Sequence, residues 1–189
     1  ARRILEGERT ALNFIQRMSG IATLTAQLKQ SISHTSCEIL DTRKTVPGLR
    51  VLDKWSVKLG GGENHRVGLY DMVLIKENHI QMAGGLEKAI QSVLDQKDPD
   101  TKVEVEVKNL DELNRALDFP VHRIMLDNMS LKDMQTACEQ VSGKIALEAS
   151  GNVSGTNIVA IAETGVDYIS IGGLTHSVNA LDISLLIDV

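Results

Sequence analysis

Six short apolar runs, separated by longer amphipathic stretches, constrain the fold of this chain more than any other feature. Each run has the length of a buried strand, and strands that alternate with helices predict a parallel sheet joined by right-handed crossovers. The expected strands are Cys37–Leu40, Met72–Ile75, Val103–Val107, Ile124–Leu126, Ile145–Leu147 and Tyr168–Ile171. The expected helices between them are Gly85–Leu94, Asp111–Leu117, Ser130–Val141 and Thr156–Thr164, with Asp111 and Ser130 as N-caps.

The run Val103–Val107 helps to decide which parallel fold this is. The chain of 189 residues is too short for a complete eight-unit barrel, which leaves a doubly wound open sheet or an incomplete barrel. Strand alternation puts Glu104 and Glu106 on one face and the three valines on the other. Helices would cover both faces of a doubly wound sheet and would bury the two carboxylates at a high cost. The sequence therefore favours an α/β fold, an incomplete parallel barrel of six to seven strands, with a polar lumen and an active site at the strand ends.

The bulk composition argues against several classes of function. The net charge is −5 and aromatic residues make up 3% of the chain, which disfavours a nucleic-acid surface or a base-stacking platform. No apolar run approaches the length of a membrane span. Cys37 and Cys138 lack metal-binding spacing, and so sparse a pair fits a reducing compartment. We therefore expect no nucleic-acid or membrane partner and a cytoplasmic location, although an organelle stroma fits the same signs.

Cationic side chains follow the first two expected strands. The segment Asp41–Arg50 places Arg43 and Lys44 directly after the first strand, and Lys76 follows the second. Between them, three glycines precede His65 and Arg66; on their own these residues fit an ordinary surface loop equally well. Arginine matches carboxylates and phosphates with a rigid fork of donors, and lysine adds a point charge. Because parallel strands end at one edge, these groups together predict an anion-binding pocket.

Carboxylates end the next two strands. Glu104 and Glu106 belong to the third strand, and Asp127 ends the fourth. Mg²⁺ prefers one or two carboxylates together with phosphate and water oxygens, so this pattern is compatible with a magnesium site. Lumen carboxylates that merely neutralise the nearby lysine and arginine side chains would give the same pattern. The residues alone leave both interpretations open.

The last two strands end in small and hydroxyl residues. Ser150, Gly151 and Asn152 follow the fifth strand, and Gly172 and Gly173 follow the sixth. Free backbone N–H groups ahead of a helix bind phosphate, and the final loops of a barrel are the usual place for such a site. No residue spacing indicates a covalent nucleophile, which is compatible with displacement chemistry driven by positioning and electrostatics.

The chain resembles the quinolinate phosphoribosyltransferases, also called carboxylating nicotinate-nucleotide pyrophosphorylases, over their C-terminal barrel domain. The resemblance implies that quinolinate and phosphoribosyl pyrophosphate react, with Mg²⁺ as cofactor, to give nicotinate mononucleotide, pyrophosphate and CO2. The segments that carry it are 13–25, 41–50, 60–80, 103–107, 125–128, 148–152 and 169–177.

The resemblance also implies roles for individual residues. Lys44, Glu106 and Asp127 would be catalytic: Lys44 near phosphoribosyl pyrophosphate, and Glu106 and Asp127 on the ribose hydroxyls and the metal. The groups expected on the two quinolinate carboxylates are Arg43, His65, Arg66 and Lys76. The groups expected on the 5′-phosphate are Ser150, Gly151, Asn152, Gly172 and Gly173. The family often has glycine where this chain has Asn152, but asparagine tolerates left-handed backbone angles.

The resemblance sets the expected domain organisation. Residues 1–189 form one barrel domain, with opening helices in 1–28 at the boundary with an N-terminal domain that this sequence does not include. It implies a homodimer or larger homo-oligomer in which an arginine from a partner's N-terminal domain completes the quinolinate pocket. The alternatives are a barrel that is catalytically incomplete without that domain, and a related barrel phosphoribosyltransferase with another acceptor.

Overall fold

The computed structural model describes residues 2–187, in which six parallel strands form one sheet. The strand order is β1-β6-β5-β4-β3-β2, so within the described residues β1 and β2 are edges and the barrel is not closed. Every expected strand is confirmed, as is the incomplete barrel. The strands are β1 Glu38–Leu40, β2 Met72–Ile75, β3 Lys102–Val107, β4 Arg123–Asp127, β5 Ala146–Ser150 and β6 Tyr168–Ser170.

Helices connect and flank these strands. The expected opening helices form one continuous helix of 30 residues, α1. None of the helices in residues 2–187 is long and apolar enough to cross a membrane. The helices are α1 Arg2–Ser31, α2 Arg50–Leu59, α3 Glu77–Ala83, α4 Leu86–Gln96, α5 Leu110–Ala116, α6 Leu131–Val141, α7 Ile158–Ala162 and α8 Gly173–His176.

One of the two expected N-caps is correct. The Ser130 hydroxyl accepts a hydrogen bond from the backbone N–H of Asp133 at 3.1 Å, as a cap of α6 should. Asp111 is wrong as the cap of α5, because the Asn109 side chain accepts from the backbone N–H of Glu112 at 2.9 Å. The helix begins at Leu110, one residue before Asp111. The acidic side chain in this first turn still interacts favourably with the helix dipole.

The strand β3 places its valines and glutamates as the alternation predicts. Val103, Val105 and Val107 are fully buried in the hydrophobic core, beside residues of α4 and α5. Burying a valine side chain stabilises a fold by about 1.5–3 kcal/mol, so this face anchors the strand firmly. Glu104 points the other way into the lumen, where it is also fully buried.

The two cysteines are free thiols. Cys37 is buried in the core just before β1, where it acts as a small apolar side chain. Burial raises the pKa of its thiol to about 12, so it carries no thiolate near neutral pH.

Candidate active site

The carboxyl ends of the strands surround a cleft of about 490 Å³. Several residues that the sequence did not single out as site residues also line it, among them Thr42, Ser170 and His176. It contains the predicted groups for metal and phosphate together with two of the predicted lysines. The expected residues in this cleft are Lys44, Lys76, Glu106, Asp127, Ser150, Gly151, Asn152, Gly172 and Gly173.

A smaller cavity of about 160 Å³ adjoins this cleft on the β1 and β2 side. It contains the remaining cationic groups that the sequence predicts, Arg43, His65 and Arg66. Because Lys44, Lys76 and Ser150 line both spaces, the two cavities meet at these side chains. Every predicted site residue therefore lies in one continuous depression, which we call the paired cavity.

Lys76 and Glu106 form an ion pair inside the paired cavity. Lys76 Nζ donates to Glu106 Oε2 at 2.8 Å, and the Lys76 side chain is 48% exposed against 11% for Glu106. The backbone N–H of Lys76 in turn donates to His79 Nδ1 at 2.9 Å, which fixes the start of α3. The ammonium group is therefore held at the junction of the two cavities while remaining open to solvent.

Arg43 and Arg66 are like charges held close together. Burial and the positive charge of Arg43 lower the pKa of the Arg66 guanidinium. The Nε of Arg43 is buried and has no hydrogen-bond partner among residues 2–187. Two neighbouring guanidinium groups, one of them with an unused donor, have the charge and geometry that a carboxylate requires.

His65 differs from the other cationic groups because the protein surrounds its ring. Its Nε2 lies 2.9 Å from Glu104 Oε2 and 3.4 Å from Glu148 Oε2, and its Nδ1 accepts from the backbone N–H of Arg66 at 2.8 Å. Burial disfavours a charge here, but the two carboxylates outweigh it and raise the pKa of His65 to about 9. The Arg66 amide opposes them, since only an unprotonated Nδ1 can accept its hydrogen bond.

The carboxylates beside His65 belong to a buried network on the lumen floor. Arg123 donates to Glu148 Oε2 at 2.8 Å, and its guanidinium stacks on the Tyr168 ring 4.1 Å from the centroid. Burial raises the pKa of Glu104. Burial acts the same way on Glu148, but the hydrogen bond and charge of His65, together with the charge of Arg123, outweigh it and lower that pKa. His65, Glu104 and Glu148 are close enough to ligate a metal, but Arg123 already neutralises part of their charge.

The predicted phosphate loop depends on an unusual backbone at Gly151. Gly151 has φ +98, and a Cβ there would lie 2.2 Å from Asn128 Oδ1. Asn152 adopts φ 51, the left-handed conformation that its sequence permits, and its Nδ2 donates to Asn128 Oδ1 at 3.0 Å. The loop is therefore closed against β4 and turns towards the cleft.

Glu106 and Asp127 have the chemistry that magnesium requires. They end the neighbouring strands β3 and β4 and line the same cleft. Asn128 Nδ2 donates to Asp127 Oδ1 at 3.0 Å, which orients that carboxylate. Partly exposed carboxylate oxygens beside the predicted phosphate loop are the kind of ligand that Mg²⁺ accepts together with water and phosphate oxygens.

The chain was compared with known proteins. Residues 21–186 match the family model for quinolinate phosphoribosyl transferase, C-terminal domain. The chain is 49% identical to the mitochondrial quinolinate phosphoribosyltransferase [decarboxylating] 2b of Nicotiana tabacum, over 98% of this chain and 57% of that protein. It is 48% identical to the chloroplastic nicotinate-nucleotide pyrophosphorylase [carboxylating] of Arabidopsis thaliana, over 100% of this chain and 59% of that one.

A solved structure agrees with these matches. The nicotinate-nucleotide pyrophosphorylase of Francisella tularensis superposes with a TM-score of 0.93 at 52% identity, covering 96% of this chain and 65% of that one. This chain spans less than two thirds of the length of each of these relatives. From the matched family model, we conclude that the chain belongs to the quinolinate phosphoribosyl transferase family and contains its C-terminal domain.

Proposed function

We propose that this protein transfers a phosphoribosyl group from phosphoribosyl pyrophosphate to quinolinate and decarboxylates the product to nicotinate mononucleotide, a step of NAD biosynthesis. The observation that carries the proposal is the junction of two chemically different spaces in the paired cavity. One is cationic, around Arg43 and Arg66, and the other holds carboxylates and the phosphate loop. An acceptor in the first would lie against a phosphoribosyl donor in the second.

The cationic space selects a dianion. Arg43 and Arg66 repel each other, and one carboxylate of quinolinate would relieve that repulsion by binding both. Lys76 at the junction is placed to bind the second carboxylate, exchanging its bond with Glu106 for one with the substrate. A related acceptor without two carboxylates would leave one of these cations unpaired. Quinolinate is therefore the acceptor that these side chains support best.

The bond changes need no covalent enzyme intermediate. The quinolinate ring nitrogen attacks C1 of the ribose, and the bond from C1 to pyrophosphate breaks with its electron pair going to the leaving group. Lys44, which lines both spaces, stabilises charge on pyrophosphate, and Glu106 stabilises the positive charge that develops on the ribose ring. The bond from C2 to its carboxylate then breaks, CO2 leaves, and the pair left on C2 takes a proton.

Different residues would bind the metal ion and the 5′-phosphate. Glu106 and Asp127 would hold Mg²⁺, which when bound neutralises charge on the pyrophosphate. The predicted phosphate ligands Ser150, Gly151, Asn152, Gly172 and Gly173 would bind the 5′-phosphate through backbone N–H groups and the Ser150 hydroxyl. Their position in the same cleft as the two carboxylates supports this division.

The assembly and the compartment belong to the same proposal. We propose a homodimer or larger homo-oligomer in which an N-terminal-domain arginine of a partner completes the acceptor pocket. The second candidate is a barrel that is inactive without that domain, and this chain spans less than two thirds of the relatives named above. The cytoplasm remains our expected location, although the two curated relatives above are named mitochondrial and chloroplastic.

A product assay tests the proposal directly. The chain is incubated with Mg²⁺, phosphoribosyl pyrophosphate and quinolinate labelled in the C2 carboxylate, and labelled CO2 is measured together with nicotinate mononucleotide. Equal amounts of both products support the transferase. Tight binding of both substrates without products supports the incomplete barrel, which a full-length relative assayed in parallel would confirm by turning over. Failure of both this chain and a full-length version of it to bind quinolinate contradicts both candidates.

A further inference from the structure

A buried ion pair lies directly beneath the acceptor side of the paired cavity. Lys54 of α2 bonds to Asp41, and their side chains are 3% and 0% exposed. The largest effect on both pKa values is burial, which raises that of Asp41 to about 6 and lowers that of Lys54. Removing two charges from water is costly, and a buried pair is often no more stabilising than apolar side chains of the same size. Its geometry therefore matters more than its contribution to stability.

The pair holds the backbone of His65 from both sides. Asp41 Oδ1 accepts a hydrogen bond from the His65 N–H at 2.9 Å, while Lys54 Nζ donates to the His65 carbonyl at 2.8 Å. With its amide oriented to suit these groups, Asn64 donates to Asp41 Oδ2 at 2.8 Å. Both peptide groups of the residue before Arg66 are thus fixed by two charged side chains.

The same pair joins the two loops that carry the acceptor cations. Asp41 begins the loop that contains Arg43, and its own N–H donates to the Glu63 carbonyl at 3.2 Å. Arg66 follows His65 on the second loop. Because Arg43 and Arg66 repel each other, some part of the scaffold must oppose their separation. Fixing the backbone beside each of them does so.

We propose that Lys54 and Asp41 are positioning residues that hold Arg66 opposite Arg43 for the acceptor dicarboxylate. The inference deepens the proposed function and rests on it. Neither side chain is placed among the substrate-binding groups, so their effect on binding acts through the two loops. Loss of the pair therefore weakens quinolinate binding and leaves the phosphate side of the paired cavity intact.

The test is a pair of calorimetric titrations of this chain, with quinolinate and with phosphoribosyl pyrophosphate plus Mg²⁺. The main variant combines Lys54→Met with Asp41→Asn, which removes both charges and leaves no unpaired ion. We expect its Kd for quinolinate to rise at least 10-fold and its Kd for phosphoribosyl pyrophosphate to change less than 2-fold. A merely structural role would shift both, so equal changes, or no change in either, overturn the inference.

Two further variants keep the result interpretable. Lys58 lies one turn after Lys54 in α2 and forms an exposed ion pair with Glu63. The control variant Lys58→Met breaks only that exposed pair, so it should change neither Kd. If the double variant does not fold, Lys54→Arg is measured instead. It keeps both charges paired but replaces the single ammonium group that reaches Asp41 and the His65 carbonyl, so it should still weaken quinolinate binding selectively. If the wild-type chain binds phosphoribosyl pyrophosphate but not quinolinate, the proposed acceptor is contradicted as well. If the wild-type chain binds both and only the variants depart from expectation, the positioning role alone is contradicted.

Discussion

Lys76 Nζ and Glu106 Oε2, 2.8 Å apart, connect the cationic space of the paired cavity with the space that contains the carboxylates. Lys76 follows β2 and Glu106 lies in β3, so two neighbouring strand ends supply the two halves of this contact. Quinolinate would compete with Glu106 for Lys76, and Mg²⁺ would compete with Lys76 for Glu106. Binding of one substrate therefore releases a group that the other can use.

Replacing Lys76 should damage the acceptor side selectively. We expect Lys76→Ala to raise the Kd for quinolinate roughly 10- to 100-fold, because a charge-assisted hydrogen bond contributes about 1.5–3 kcal/mol. The Kd for phosphoribosyl pyrophosphate should stay within about 3-fold, because Glu106 remains in place. Calorimetry measures both constants, and loss of both together would mean that Lys76 supports the structure of the whole cavity.

Replacing Glu106 should change the magnesium dependence. Glu106→Gln keeps the shape and one acceptor oxygen but removes the charge that favours Mg²⁺. We expect the Mg²⁺ concentration for half-maximal binding of phosphoribosyl pyrophosphate to rise on the order of 10-fold. Glu77→Gln is the matched control, because Glu77 is an exposed carboxylate at the start of α3, paired with Lys108. An unchanged magnesium profile for Glu106→Gln would remove it from the metal site.

A methyl group at Gly151 should disrupt the phosphate loop. In Gly151→Ala the new Cβ would collide with Asn128, and the backbone would be strained at φ +98. We expect a loss of phosphoribosyl pyrophosphate affinity of at least about 10-fold, with quinolinate affinity retained. Gly143→Ala shares the positive φ but meets no atom within 4 Å, so it reports strain without collision. Equal losses of affinity in both variants would show that the collision is irrelevant.

The buried ring of His65 should make stability depend on alkaline pH. Its folded pKa of about 9 lies above the unfolded value of 6.5, so its contribution is present below pH 6.5 and is lost as the pH rises through 9. Chemical denaturation should show the free energy of unfolding falling by up to about 3 kcal/mol over that window. His65→Gln, which cannot titrate, should show a flatter profile. Identical profiles would mean that the Arg66 amide keeps the ring neutral throughout.

The sequence predicted the strands well because each is a short apolar run. The alternation of valine and glutamate in Val103–Val107 also predicted which side chains face the core and which face the lumen. It missed α2 because the apolar pattern of that helix is inverted. Val51, Trp55 and Leu59 are exposed, while polar and charged side chains face inward. That inward face includes Lys54, whose partner Asp41 lies in another loop.

In the candidate site, too, the sequence predicted some features and not others. Sequence position indicated the charged residues and the loop residues that line the paired cavity, since parallel strands bring their carboxyl ends to one edge, but it did not select Thr42 or Ser170. It did not show that His65 is enclosed by Glu104 and Glu148, or that Arg123 neutralises Glu148. Those contacts join four different elements and depend on how the lumen closes, which no local pattern encodes. The N-cap of α5 was missed by two residues for a simpler reason, because Asn109 and Asp111 both suit a cap.

The most direct test of the dicarboxylate pocket compares the affinity of this chain for quinolinate and for nicotinate, which lacks the second carboxylate. Calorimetric titration at pH 7.5 measures the Kd of each ligand for the wild-type chain and for Arg66→Met, and the two ligands differ by a single charged group. We predict that the wild-type chain binds quinolinate at least about 10-fold more tightly than nicotinate and that Arg66→Met removes most of this preference. Comparable affinity for both ligands in the wild-type chain would contradict this prediction.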